Sequence, residues 1–310
     1  MSGWKRVPRC GPGRSTRRPG PYPWRRKRRL AAALALALCG SVPVKGANGC
    51  GATMTQAQKT VEGLPHESGE ASGMATSVRY PGVAWMIRDS GHPASLYALR
   101  LGADGTATSR EIPVSGATNR DWEDVVRTAG PDGRDRLWVV ESGQGGGGRT
   151  IYEIPEPDPE AATSAQAVAR YPYAYPDRNS NTEAAFAWED DLVLVSKNFP
   201  ARVYRFSDPL VAGRTNKPVY VGQLSDSNGI SVARPSPDGR WIATSTHDTV
   251  FLYRNSSAPG TLEGFTNREP FHVLVAAPED NVEAGDFFPA GECQLVLLSE
   301  TRNTYRLSSQ

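Results

Sequence analysis

A segment type that recurs five times along the chain constrains the fold more than any other feature. Each copy has a short strand, a turn rich in Pro, Gly and Asp, and an apolar strand that ends on a polar residue. The five copies begin at Glu70, Glu123, Glu183, Ile230 and Glu283. Further strand candidates follow each pair, and the period is roughly 50 residues, which is typical of propeller repeats.

Four short strands per unit, without any long segment of helical period, predict an all-β protein. We expect a single β-propeller over residues 69–310 with five visible four-stranded blades, and a sixth blade with a weak repeat stays open. The fifth unit ends before its fourth strand, so residues 47–68 are predicted to hold a linker and an N-terminal strand that closes the last blade. A β-sandwich is the alternative, because strand alternation and turns fit it too.

The N-terminal segment resembles an export signal. Residues 1–46 contain 12 of the 35 Lys and Arg residues and no acidic residue, and Leu30–Leu38 is an apolar run too short to span a bilayer. A basic region before a short apolar run is typical of a secretory signal peptide. We therefore expect a secreted or cell-surface protein; an uncleaved membrane anchor or a disordered basic arm is the alternative.

The charge of the remaining chain argues against a nucleic-acid partner. The formal net charge of +2 for the whole chain becomes −10 for residues 47–310, which hold 23 basic and 33 acidic side chains. Phosphate backbones are bound by basic surfaces, and here the basic surplus lies in the segment predicted to be removed.

Cys50 and Cys293 lie near the two ends of the predicted mature chain. An exported protein meets an oxidising compartment, so a disulfide between them is one prediction. Closure of the last blade by the N-terminus favours this prediction, because it brings the two residues together. Lipidation of Cys50, and hence a lipid anchor, is the alternative.

The repeat register places charged residues in two rings at one end of the predicted channel. The ring at the strand starts holds Glu70, Glu123, Glu183 and Glu283, with Ser231 in place of an acid in the fourth unit. The ring at the strand ends holds Asp89, Glu141, Lys197, His247 and Glu300. Converging carboxylates repel each other, so something must offset their charge.

Three sources of compensation are open. The four glutamates are predicted to bind a hard divalent cation, Ca²⁺ before Mg²⁺, because an all-oxygen ligand set with little His and no Cys does not favour zinc. Lys197 and His247 supply positive charge, and raised pKa values are the third source. Alternatively, each glutamate caps backbone N–H groups of a neighbouring blade and meets no ligand.

Several short motifs are similar to those of exported bacterial phytase-like or esterase-like β-propeller proteins. They are Arg88–Gly91, Asn119–Asp124, Ile154–Pro157, Thr182–Ala184, Ser196–Lys197, Pro235–Arg240 and Val282–Ala284. This resemblance covers roughly residues 69–301 and implies export and a propeller fold; related propellers include calcium-dependent phytases and metal-dependent lactonases that use acidic channel residues. The segment Glu141–Gly145 departs from the more acidic family pattern, which weakens the inference to a phytase site that holds several calcium ions.

Two functions of different class follow. The first is a non-catalytic ligand-binding or interaction module, whose rim binds a small molecule, a glycan or a protein. The second is a metal-dependent hydrolase of phosphoesters, esters or lactones, in which Lys197 binds the developing anion and His247 transfers a proton. In both cases we expect a monomer that meets a membrane only through its signal or a lipid anchor.

Overall fold

The structure is a computed structural model of the 310-residue chain. It describes residues 50, 54–102, 104–142, 148–177, 181–225, 229–254, 261–275, 281–288 and 291–309. The predicted signal segment, residues 1–46, lies outside the described residues. No helix among the described residues is long and apolar enough to cross a membrane.

The described residues form 21 strands, which we number in chain order, and two single 3-10 turns at His66–Ser68 and Leu262–Gly264. The strands up to the second blade are β1 (Gln58–Val61), β2 (Ala71–Thr76), β3 (Val83–Arg88), β4 (Ser95–Leu101), β5 (Ala107–Ser115), β6 (Trp122–Thr128), β7 (Arg136–Glu141), β8 (Thr150–Pro155), β9 (Ala165–Gln166) and β10 (Ala169–Pro172). The remaining strands are β11 (Thr182–Trp188), β12 (Asp191–Ser196), β13 (Ala201–Arg205), β14 (Val219–Leu224), β15 (Val232–Pro235), β16 (Trp241–Ser245), β17 (Thr249–Arg254), β18 (His272–Val275), β19 (Val282–Phe287), β20 (Gln294–Ser299) and β21 (Thr304–Ser308).

These strands form five sheets, in each of which four neighbouring strands are antiparallel, and the sheets are the blades of a β-propeller. The innermost strands β2, β6, β11, β15 and β19 contact one another in that order, and β19 contacts β2, so the ring is closed. Five blades are therefore confirmed, and the sandwich and the six-bladed alternatives are excluded. The first blade carries one more strand than predicted, because β9 pairs in parallel with the edge strand β5.

The N-terminal part of the chain closes the ring. β1 pairs with β21 as the outer strand of the last blade, so that residues from both ends of the propeller share one sheet. A disulfide joins Cys50 to Cys293 across 243 residues of chain. Both predictions are confirmed, and the sulfur of Cys50 cannot carry a lipid thioether as well.

The core lies between the blades rather than in one central cluster. Alternate residues of the apolar strands face a neighbouring blade, and the large side chains there include Trp85 and Trp122, both fully buried. Trp188 packs on Phe265 with ring centroids 5.2 Å apart in an edge-to-face arrangement. The large aromatic side chains of these strands are therefore buried mainly between blades.

Candidate functional site

The acids of the strand starts face the channel because the first strand of four blades carries a β-bulge at its beginning. The pairing register with the second strand skips one residue in each of these blades. The skipped residues are Ser72, Glu123, Glu183 and Glu283. A bulge re-aims its extra side chain, and here it turns three carboxyl groups toward a common end of the channel.

In the first and fourth blades a serine, Ser72 or Ser231, stands in the place of the glutamate. The hydroxyl of Ser72 donates a hydrogen bond to the carbonyl oxygen of Trp122 in the next blade (2.6 Å). The hydroxyl of Ser231 donates in the same way to the carbonyl oxygen of Val282 (2.6 Å). These two residues hold adjacent blades together, so the ring at the bulge contains three glutamates and two serines.

The register of the first blade differs from the predicted one. Glu70 lies two residues before the bulge position, which Ser72 occupies, and Glu70 is exposed with a positive φ of 60°. Its carbonyl oxygen accepts the N–H of Asp89, as the carbonyl oxygen of Asp121 accepts the N–H of Ser142 in the second blade. Glu70 therefore corresponds to Asp121 and not to Glu123, because the pairing register with the second strand, which the sequence does not reveal, makes Ser72 the bulge residue of the first blade.

The ring at the strand ends differs at one position too. By the same backbone contacts, Ser142 and not Glu141 corresponds to Asp89. Successive residues of a strand point to opposite sides, so the carboxylate of Glu141 faces away from the channel and accepts the backbone N–H of Arg120 (3.0 Å). Lys197 and Glu300 make the backbone contacts of this ring, to Asn181 and Asn281.

We call the resulting cluster the acidic mouth. It consists of Asp89, Asp121, Glu123, Glu183, Glu283 and Glu300, together with Lys197 and His247. Of the charged residues predicted for this end of the channel, all but Glu70 and Glu141 belong to it.

Glu123 is the most deeply buried carboxyl group of the acidic mouth, with 5% of its surface exposed. The hydroxyl of Ser142 lies 3.0 Å from its Oε1 and also bonds Asp121. Burial, followed by the charges of Glu183, Asp121 and Asp89, raises the pKa of Glu123 to about 11. Glu123 is therefore protonated at neutral pH.

Glu183 pairs with the lysine of the mouth. Its Oε2 lies 3.2 Å from Nζ of Lys197, and its Oε1 accepts a hydrogen bond from the side-chain amide of Asn181 (2.6 Å). Burial raises the pKa of Glu183, while Lys197 and a hydrogen bond with Glu123 work against that rise. Glu183 is thus paired with the ammonium of Lys197, whereas its neighbour Glu123 is neutral.

Glu283 pairs with His247, whose Nδ1 lies 3.0 Å from Oε1 of the carboxyl group. Burial raises the pKa of Glu283 to about 7, with further contributions from Glu300 and Glu183 and an opposing one from Lys197. The group consequently changes its charge near neutral pH, which Glu123 does not.

Two of the three predicted sources of compensation are therefore present, namely the ammonium of Lys197 and raised pKa values. Lys197 and His247 already pair with Glu183 and Glu283. Among the described residues, no group of three His, Cys, Asp or Glu side chains is arranged to hold a metal ion. The acids do not form a ready-made cation site as they stand, and calcium binding stays a prediction that requires these groups to rearrange or to lose protons.

A buried arginine, Arg234, lies on the channel axis below the acidic mouth, and no motif of the repeats predicts it. The guanidinium of Arg234 makes two hydrogen bonds to the carboxylate of Asp124, of 2.6 and 2.8 Å. It also donates to the carbonyl oxygens of Met74 (2.8 Å) and Ala185 (2.6 Å), and its Nε lies 3.7 Å from Oδ1 of Asp286. One side chain therefore joins all five blades at the axis.

A cavity of about 620 Å³ lies at the opposite end of the channel, and Arg234, Asp286 and Trp188 are among its lining residues. A charged residue inside the short strand Val232–Pro235, and acids at Asp124 and Asp286 in two other inner strands, are the sequence signals that could have pointed to this arrangement. Arg234 separates the two ends of the channel, so the acidic mouth and this cavity are separate sites.

Comparison with known proteins finds similarity only to solved structures of low identity. No protein-family model and no curated protein matches the chain. Among solved structures, it is similar to a protein provisionally described as a gluconolactonase, with 18% identity over 79% of this chain and 76% of that chain and a TM-score of 0.44. It is also similar to the hydrazine synthase of Kuenenia stuttgartiensis, with 13% identity over 76% of this chain and 57% of that chain and a TM-score of 0.39.

A third similar structure is the β-propeller domain of Cps50 (Swd1) from Myceliophteria thermophila. The identity is 10% over 82% of this chain and 100% of that chain, and the TM-score is 0.44. At these identities and scores the likenesses carry no argument about activity. The assignment of the propeller rests on the sheet order and the ring of inner strands described above.

Proposed function

We propose that the protein is an exported ligand-binding propeller whose acidic mouth binds a cation, with Ca²⁺ as the first candidate. The observation that carries the proposal is the charge of the mouth, where six carboxyl groups face one lysine and one histidine. Such a surface attracts cations and repels phosphoesters and other anions. Hard cations prefer oxygen ligands of this kind.

Proton uptake is, beside the ammonium of Lys197, the second way in which the negative charge of the mouth is offset. Glu123 is neutral and Glu283 is partly neutral near pH 7, because their pKa values are raised to about 11 and about 7. A bound cation would favour the ionised carboxylates and displace these protons. We therefore expect cation binding to strengthen as the pH rises, and protons to be released on binding.

Calorimetric titration of the purified protein with calcium chloride tests the proposal, at about pH 6 and about pH 8 and in two buffers of different ionisation enthalpy. We expect saturable binding, tighter at the higher pH, with protons released. Glu183→Gln and Glu283→Gln should each weaken it about tenfold or more, as loss of a charged ligand does. Glu160→Gln is the matched control, because this acid is exposed and pairs with Arg100 on the first blade.

The Lys197→Met variant shows whether the acidic mouth prefers a cationic or an anionic ligand. The ammonium of Lys197 competes with an incoming cation for Glu183, so its removal should strengthen calcium binding. An anionic ligand would instead lose its attractive partner. The proposal fails if millimolar calcium or magnesium gives no saturable heat, or if Lys197→Met weakens the binding.

A hydrolase is the second candidate, and the pKa of about 7 for Glu283 favours it. A group that titrates near neutral pH is suited to general acid–base catalysis. Glu283 would take a proton from water as the water oxygen bonds the ester carbonyl carbon, and would return that proton to the departing alkoxide as the ester C–O bond breaks. Lys197 would stabilise the negative charge on the carbonyl oxygen.

The resemblance to exported phytase-like and esterase-like propellers supplies the substrate class, and the negative mouth favours neutral esters and lactones over phosphoesters. Hydrolysis of a model ester and a model lactone, measured against pH, tests this candidate. We expect a rate that changes near the pKa of Glu283, disappears in Glu283→Gln and persists in Glu160→Gln. A rate equal to that of buffer alone would rule it out.

Export is part of the same proposal. It is supported by the N-terminal sequence pattern and by the Cys50–Cys293 disulfide, since disulfides persist mainly in oxidising compartments. Fractionation of producing cells, with an antibody against the propeller, tests it: protein retained inside the cell with free thiols would contradict export.

A further inference from the structure

A cavity of about 550 Å³ lies outside the channel, between the second and third blades. Its charged lining residues are Arg120, Arg149, Arg170 and Glu141, and we call it the arginine pocket. Arg120 precedes the innermost strand β6, Arg149 precedes β8, and Arg170 lies on the outer strand β10. The pocket is therefore built from three separate parts of one blade, which the sheet holds in register.

The far wall of the pocket comes from the loop between β13 and β14 of the third blade. Ala212 and Gly213 line the pocket, and the backbone N–H of Gly213 donates to the carbonyl oxygen of Arg170 (3.2 Å). Further along this loop, the backbone N–H of Asn216 donates to the carbonyl oxygen of Pro172 (2.7 Å). These bonds fix the loop against the second blade, so the cavity is bounded on both sides by hydrogen-bonded backbone.

The charge of the arginine pocket is opposite to that of its surroundings. Three guanidinium groups face one carboxylate, whereas residues 47–310 as a whole carry a formal charge of −10. Three of these charges lie close enough to the Tyr152 hydroxyl to affect its pKa. Burial raises this pKa and the charge of Glu141 raises it further, whereas Arg170 and Arg120 lower it. Arg149 lies over the ring of Tyr175, 5.4 Å from its centroid, which holds its side chain in place.

The arginine pocket and the acidic mouth use alternate side chains of the same two segments. Arg120 and Glu141 line the pocket, while the next residue in each case, Asp121 or Ser142, bonds within the mouth. Alternation of side chains along the backbone thus sends Arg120 and Asp121, and likewise Glu141 and Ser142, to opposite sides of one wall. This is the physical reason why Glu141, predicted for the channel, lies in the pocket instead.

We propose that the arginine pocket binds the anionic group, a carboxylate or a phosphate, of a small molecule. Arginine forks match the two oxygens of either group and bind them with paired charge-assisted hydrogen bonds. The volume exceeds that of the anionic group alone, so the rest of the molecule fits beside Tyr152 and Pro172. This site does not depend on cation binding at the acidic mouth.

Calorimetric titration of the full protein with inorganic phosphate, and separately with sodium acetate, tests the proposal. We expect saturable binding of at least one anion, and the tighter of the two identifies the group that the pocket prefers. Arg120→Gln and Arg170→Gln should each weaken binding about tenfold, because each removes a charged donor. Both residues are exposed, so these variants are expected to fold.

Two controls make the result specific. Arg100→Gln removes a partly exposed arginine of the first blade that does not line the pocket, and it should leave binding unchanged. Glu141→Gln removes the single opposing charge and keeps an acceptor for the N–H of Arg120, so it should strengthen binding. No saturable binding of either anion, no loss in the Arg120→Gln/Arg170→Gln double variant, or an equal loss in Arg100→Gln would each overturn the proposal. Glu123→Gln should leave anion binding intact, which separates this test from that of the mouth.

Discussion

Replacing Arg234 by methionine tests whether the axial arginine holds the ring together. Arg234 and Asp124 are both buried, and the pair is bidentate. Burial disfavours the charge of Arg234, but the attraction and hydrogen bonds of Asp124 outweigh it and raise the pKa of the guanidinium. In Arg234→Met, Asp124 is left as a buried acid without its partner.

The expected loss follows from that uncompensated group. Breaking a buried ion pair from one side costs about 3–5 kcal/mol. The carbonyl oxygens of Met74 and Ala185 lose donors as well, and an unsatisfied buried acceptor costs about 1–3 kcal/mol. The cost of the broken ion pair and the cost of the unsatisfied carbonyl oxygens do not simply add, because water enters the channel once the side chain is removed. We therefore expect the free energy of unfolding to fall by about 4 kcal/mol in total. That is a large part of the 5–15 kcal/mol typical of a folded domain.

Urea unfolding at neutral pH measures this loss as a shift in the midpoint at constant slope. Arg100→Met is the matched control: the pair of Arg100 with Glu160 is solvent-exposed, and such pairs contribute about 1 kcal/mol or less. The double variant Asp124→Leu/Arg234→Met should lose less free energy of unfolding than the sum of the losses in the two single variants, because no buried charge is then left without its partner. A loss in Arg234→Met no larger than that in Arg100→Met would refute the reasoning.

Two further predictions concern the acidic mouth and the closure of the ring. The folded state holds protons on Glu123 and Glu283 up to pKa values of about 11 and about 7. The stability that these two protonated groups contribute is therefore complete below the unfolded pKa of 4.5 and falls as the pH rises above it. Glu123→Gln should therefore raise the urea midpoint more at about pH 8 than at about pH 5, and an equal effect at both would contradict the assignment. Reduction of the disulfide, or Cys293→Ser, should lower the free energy of unfolding by up to about 5 kcal/mol, since the bond closes a loop across 243 residues. Cys293→Ser measured with and without reductant is the control, and a native urea midpoint that reductant does not change would contradict this prediction.

Much of the fold could be predicted because each blade is built from neighbours in sequence. The apolar strand Leu192–Val195 pairs with strands that directly precede and follow it, so its local pattern is enough to place it. The same applies to the missing fourth strand of the last unit, whose absence indicated that the N-terminus completes it. The prediction was one strand short only at β9, a two-residue parallel addition without a repeat of its own.

The candidate site was predictable only in part. Glu123, Glu183 and Glu283 were placed at one end of the channel because they occupy the same position in three repeats. Glu70 was aligned with them by counting, and the bulge makes Ser72 the equivalent residue. Glu141 was displaced by one residue along its strand, which is enough to turn its side chain to the other side.

The sequence alone therefore predicted five visible blades, the closure at β1 and the end of the channel where acids gather, since these follow from local periodicity. It left a sixth blade open, and it left a choice between a disulfide and lipidation at Cys50, which the structure decided. Only the tertiary structure decided that Arg234 joins five blades, that Glu123 is neutral and that Arg120, Arg149 and Arg170 surround one cavity. These features depend on burial and on partners such as Asp124, which lies 110 residues away along the chain. Both the burial and these long-range contacts form only when the ring closes.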